Sequence, residues 1–211
     1  MTTMTAETIT ITGGNTALEV IQKQWLEAIM PEASDPNRAD ADARHRVCSR
    51  IMFALLSSGF TAQDDNVYAF ARHLICEIVA GPERASAADD YATILVEQSQ
   101  STDVFGADKR RLINEARLVC TPRYFTTLTG LFYTYLHVAT ASECKLDFAQ
   151  VRQIVLQIKD SPGENEALAW CWQKLHVATD DIHDAERYVA AGGTWADLGY
   201  QNMEVARRAH G

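Results

Sequence analysis

The 211-residue chain predicts an all-α protein, a single helical core of about eight to ten helices behind an N-terminal arm. Three observations carry that expectation. Apolar residues recur at three- and four-residue spacing through nearly the whole sequence, which is the repeat of one helix face. N-cap residues precede most of these segments and Gly or Pro follows them. Alternating residues, the mark of a strand, occur only around Ile9 and Ile11 in the Thr-rich opening "TTMTAETITITGGNT". A hydrophobic fraction of 47% and a charged fraction of 22% suit a globular chain long enough to bury one sizeable core.

In order, residues 1–16 read as a flexible arm, 17–193 as the helical core and 194–211 as a short helical C-terminal tail. Leu18, Ile21, Trp25 and Ile29 mark a first helix, which Pro31 ends. A second covers 39–58, with Val47, Ile51, Ala54 and Leu55 inward and Gly59 past its end. "TAQD" from Thr61 resembles a capping box and opens a third, closed by Gly81 and Pro82. "SAAD" from Ser86 opens a fourth in the same way, and Asp108 begins a fifth that runs to Cys120. Thr121 as N-cap and Pro122 at the first helical position suit the next helix. That segment is strongly apolar (Phe125, Leu128, Leu131, Phe132, Tyr135, Leu136) and belongs at the centre of the core. Helices over 146–159, "NEALAWCWQKLHVA" and "DIHDAERYVAA" follow, and Gly192 and Gly193 close the core. In the tail, Thr194 caps with Asp197 three residues on, Gly199 is a stop, and a last short helix remains. A helix-turn-helix there fails, because its first helix would cross Gly192 and Gly193 and Trp195 would fill a small-residue position.

Several functions are disfavoured by composition. No apolar run approaches the ~18 residues of a membrane span, and no signal-peptide pattern opens the sequence. Five scattered cysteines without a C-x-x-C predict free thiols in a reducing compartment. P-loop, dinucleotide, nucleophile-elbow and H-E-x-x-H patterns are missing, so no enzyme, cofactor or small-molecule substrate is expected. His176, Asp180, His183 and Arg187 share one helical stripe that can hold a metal. No further ligand is identifiable elsewhere in the sequence, and no metal is expected. His73, Cys76 and Glu77 also share a face, but Leu74 and Ile75 beside them favour a partly buried helix.

The net charge of −9 opposes non-specific nucleic-acid binding by the protein as a whole. Of its 19 basic residues, however, 14 are arginines, the residue suited to defined contacts with carboxylate or phosphate. Arg123 in "VCTPRYF" is the most informative of them. Beside the free N–H groups of a helix start, a guanidinium is unfavourable until an anion arrives. Arg123 is therefore expected to meet a carboxylate, a phosphate, or both in turn.

"VCTPRYF" followed by "TTLTGLFYTYL" resembles the signature region of the coat proteins of flexuous filamentous plant viruses, the potexvirus-like group. Other pieces are similar in order: the Thr-rich arm, "LEVIQKQWLEAIMP", "FARHLICEIVAG" and "DDIHDAERYVAAGG". "LDF", residues 146–148, is similar to an element whose aspartate pairs with the signature arginine in that family. The interval between Arg123 and Asp147 is shorter than the family's, and the tract rich in Pro, Phe and Gly around the aspartate is missing. The resemblance implies a coat protein that assembles as a helical filament around single-stranded RNA, found in the virion and host cytoplasm. It further implies phosphate contact without base readout, an arm that docks on the neighbouring subunit, and Arg123, Asp147, Arg117 and Thr121 as the RNA-contacting set. The other reading is a cytoplasmic helical adaptor, chaperone or regulator that binds another protein and no nucleic acid.

Overall fold

A computed structural model of the chain describes residues 65–77 and 80–210. The arm, the first two expected helices and the start at Thr61 lie outside the described residues. Within these, eight α-helices and no strand occur. They are α1 (Asp65–Glu77), α2 (Pro82–Ser99), α3 (Gly106–Val119), α4 (Leu128–Ser142), α5 (Lys145–Lys159), α6 (Leu168–Thr179), α7 (Ile182–Ala190) and α8 (Met203–His210). Single 3₁₀ turns, Asn165–Ala167 and Ala196–Leu198, lead into α6 and toward α8. No described helix is long and apolar enough to cross a membrane.

Two expected helix starts are corrected. α2 begins at Pro82, directly after Gly81, so Ser86 lies inside the helix and caps nothing. The locked φ of proline suits the first helical position, and its missing N–H costs nothing there. The aromatic helix starts at Leu128, not after Thr121. Cys120 adopts φ −77° and ψ 60°, and Thr121 N donates to the Val119 carbonyl at 2.8 Å, an inverse γ-turn. Tyr124 N then donates to the Thr121 carbonyl at 3.1 Å, closing a second turn. Thr121 is thus spent in turns, while Thr127 takes the cap, its hydroxyl accepting Gly130 N at 3.1 Å.

A second group decides that competition. The carboxylate of Glu164, from the loop after α5, accepts Leu128 N at 3.2 Å, Thr129 N at 2.8 Å and the Thr129 hydroxyl at 2.9 Å. The donors left open at the start of α4 are therefore satisfied by an anion at the positive end of the helix. The turn before it also places Tyr124 and Phe125 inside the protein.

α4 is central, as its composition predicts, and packs against α2, α3, α5 and α6. Its Leu131, Phe132, Val138 and Ala139 meet Tyr91, Leu95 and Val96 of α2, Val151, Val155 and Ile158 of α5, and Cys171, Trp172 and Leu175 of α6 in one continuous core. The inward residues of α2 include Ala87, Ala88 and Ala92, which let neighbouring helices approach closely. α8 packs on α7 and buries only Ala206. The tail folds as its sequence predicts: Thr194 and Asp197 cap one another, with the Asp197 carboxylate accepting Thr194 N at 3.0 Å and its hydroxyl at 2.7 Å.

Candidate functional site

The arginines of this helical core divide by their partners. Arg72 on α1 pairs with Glu115 on α3, whose carboxylate also accepts Tyr91 OH at 2.9 Å. Burial first, and then the Glu115 charge, push the Tyr91 hydroxyl well above its ordinary range. Arg152 on α5 forks onto the fully buried Asp184 at 2.9 and 2.6 Å and reaches Asp181 at 2.9 Å, both at the start of α7. The Thr179 hydroxyl donates to the same Asp184 oxygen at 2.9 Å.

Arg117 on α3 and Asp147 on α5 form the third such pair. The guanidinium donates from Nε to Oδ1 at 3.0 Å and from Nη2 to Oδ2 at 2.5 Å. Asp147 is 5% exposed. Its remaining acceptor capacity takes the Ser142 hydroxyl and a longer contact from Tyr135 OH at 3.5 Å. The bonds from Asp147 raise the basicity of Arg117. Burial, then the Asp147 charge, push Tyr135 up to about 12, so its hydroxyl keeps its proton and acts as a donor. The loop before α5 supports this geometry: Glu143 is left-handed (φ 53°), and the Ser142 hydroxyl accepts Cys144 N at 3.1 Å.

The expected partnership of Arg123 with Asp147 is therefore corrected: Arg117 holds the aspartate. Helix geometry explains the exchange. α5 begins where α4 ends, and the 15 residues of α4 separate its two ends by about 22 Å. The connection over residues 120–127 carries Arg123 toward the start of α4, whereas Arg117 is still on α3 when it meets Asp147. Arg117 also lies in the last turn of its helix, the end that favours a cation.

Arg123 is exposed and, among the described residues, forms no salt bridge. Its guanidinium carbon lies 5.8 Å from the centre of the Tyr124 ring, within cation–π range. The anion at the start of α4 is Glu164, so that helix end leaves no open N–H groups to share an anion with Arg123. Of the four expected site residues, Arg117 and Asp147 meet one another, Thr121 lies in the turn beside Arg123, and Arg123 makes no bond to the pair. Glu164 is the member that sequence reading missed, because it lies 35 residues from the N–H it caps.

The predicted His176–Arg187 stripe is also corrected. α6 ends at Thr179, Asp180 turns left-handed at φ 54°, and Asp181 caps a new helix by accepting His183 N at 2.9 Å. His183 and Arg187 belong to that second helix; Arg187 stacks over Trp172 at 4.7 Å. The four described cysteines, Cys76, Cys120, Cys144 and Cys171, are unpaired, and Cys48 lies outside the described residues. Burial pushes the Cys120 thiol up, and the Cys171 thiol up to about 12, which disfavours the reactive thiolate.

On the surface, Tyr133 stacks on Trp170 with ring centres 6.4 Å apart, and the Lys174 ammonium stands 6.0 Å over Trp170. Tyr133 is 56% and Trp170 36% exposed. Compared with known proteins, the chain matches no family model, no curated protein and no solved structure.

Proposed function

We propose that this protein is a structural subunit that assembles on single-stranded RNA and contacts the phosphate backbone without reading sequence. The observation that carries the reading is Arg123, an exposed guanidinium on a turn, stacked near Tyr124 and without a salt bridge among the described residues. Arg72, Arg117 and Arg152 are each committed to a buried carboxylate, so their charge is spent within the fold. Arg123 keeps its fork of donors for an incoming phosphate. The exposed Tyr133–Trp170 stack with Lys174 supports the same reading, because aromatic faces and cations together hold single strands with little sequence preference. Many weak contacts along one strand add avidity, which allows a chain of net charge −9 to act as a coat.

A second reading, a helical adaptor that binds another protein, is favoured by a different observation. Phe105, Leu146 and Val177 are 73%, 76% and 74% exposed, apolar side chains that stand open to solvent. Negative-stain microscopy of the purified full chain, with its absorbance at 260 nm and titration of labelled oligo(U), separates the two. The coat reading expects filaments or co-purifying RNA, and weaker oligo(U) binding with a shallower salt dependence for Arg123→Glu. A small oligomer that stays free of RNA and does not bind oligo(U) overturns it in favour of the adaptor.

A further inference from the structure

We propose that His176, Asp180 and His210 form a binding site for one divalent transition ion, Zn²⁺ by ligand chemistry, at the corner where α6 meets α7 and α8 returns to them. One ligand atom from each residue lies within 4.8 Å of the others. This inference is independent of the proposed function. Two come from one end of α6, His176 from its last turn and Asp180 from its left-handed C-cap, and His210 joins them from the end of α8.

Hydrogen bonding prepares both imidazoles. His176 is 5% exposed, and its Nδ1 lies 3.0 Å from the Asp181 carbonyl oxygen. A carbonyl only accepts, so Nδ1 carries the proton and the neutral ring presents a lone pair at Nε2. His210 Nε2 lies 2.8 Å from Tyr200 OH. With Nε2–H donating to that oxygen, Nδ1 is left facing Asp180, 3.8 Å from its Oδ1. A metal-binding histidine commonly has this arrangement, with one nitrogen toward the ion and the other fixed by an oxygen. The rings of His176 and His210 stand 5.8 Å apart, and Tyr200 packs against both.

The donor set is two imidazoles and a carboxylate, which suits Zn²⁺ with a fourth position open to water. With metal–ligand distances of about 2.0–2.1 Å, tetrahedral neighbours lie about 3.3 Å apart. Closing from the present spacing asks most of Asp180, whose side chain is 84% exposed and turns without disturbing the core. The left-handed backbone at Asp180 ends α6 there, and the carboxylate lies 3.8 Å from His210 Nδ1. An ion held there clips α8, which buries little surface of its own, to the α6–α7 corner.

The test uses the untagged full chain, titrated with Zn²⁺ by calorimetry and with Co²⁺ by visible absorption. The expected result is one ion per chain, a cobalt spectrum of nitrogen and oxygen ligands, and a rise in Tm with Zn²⁺. Asp180→Asn keeps a residue that tolerates the left-handed backbone and removes the charged ligand; it and His210→Ala should each weaken binding by roughly tenfold or more. His183→Ala, an exposed histidine outside the cluster, should leave binding unchanged. Absence of stoichiometric binding overturns the site. So does a cobalt spectrum dominated by thiolate charge transfer, or affinity unaffected by Asp180→Asn and His210→Ala.

Discussion

Three side chains converge on Asp147: Arg117 from α3, and Tyr135 and Ser142 from α4. A buried carboxylate is tolerated only while its lone pairs and charge are met, so the pair matters chiefly through what its loss leaves behind. Arg117→Ala strands the charge. Breaking a buried pair costs about 3–5 kcal/mol, and the partial exposure of Arg117 places this case near the lower end, about 3 kcal/mol. Urea denaturation measures it; a change within experimental error would show that water already solvates Asp147. At Gly193 the constraint is steric. A Cβ there would overlap the Tyr188 ring, whose hydroxyl is anchored on Asp197 at 2.9 Å. Gly193→Ala is expected to destabilise the fold by about 1–3 kcal/mol through that crowding. An unchanged Tm would mean that the tail moves freely away from α7.

α4 owes its start to a residue outside it. Burial raises the Glu164 carboxyl, but bonds from Thr129 and Leu128 outweigh that effect and hold it below the usual carboxylate range. The sign of the pH dependence follows. A carboxyl whose folded value is depressed stabilises the protein above its unfolded value, about 4.3, and that contribution is lost as pH falls through the folded value. Glu164→Ala should cost about 1 kcal/mol at pH 7, the usual worth of a helix cap. The difference from wild type should shrink as denaturation is repeated toward pH 3. A constant difference between pH 7 and pH 3 would place the contribution in packing and not in the charge. Arg123 stands on the connection before this helix, and under the proposed RNA-coating function its replacement should leave melting unchanged and weaken oligo(U) binding.

For the whole molecule, two expectations come from chain-wide features. The described cysteines are unpaired, and intact mass under non-reducing conditions should show five free thiols; a loss of two hydrogens would mark a bridge. Residues 1–14 carry no helical face, but alternate Ile9 and Ile11 in a Thr-rich sequence able to add to a neighbour's groove through its backbone. If the chain assembles as proposed, deleting residues 1–14 should preserve helicity and melting and abolish long assemblies. Filaments of normal length from the truncated chain would remove the arm as the connector between subunits.

What the sequence determined by itself is what one or two turns of chain can encode. Among the described residues the 3.6-residue period marks the helices, though not all of their starts, the density of apolar residues marks α4 as central, and the Thr194–Asp197 box forms as its three-residue spacing requires. Its errors arose where two local signals competed. Thr121 and Thr127 are both good caps, and Pro82 and Ser86 both good starts; a distant carboxylate decided the first contest and the φ of proline the second. Only the tertiary structure decided which arginine meets which carboxylate. Arg117 and Asp147 are 30 residues apart, Arg152 and Asp184 are 32, and His210 joins His176 and Asp180 from another helix. Such partners depend on the register in which helices pack and on the path of the connections between them. Arg123 and Arg117 are six residues apart in sequence, yet the turn at Cys120 leaves one on the surface and the other on a buried aspartate.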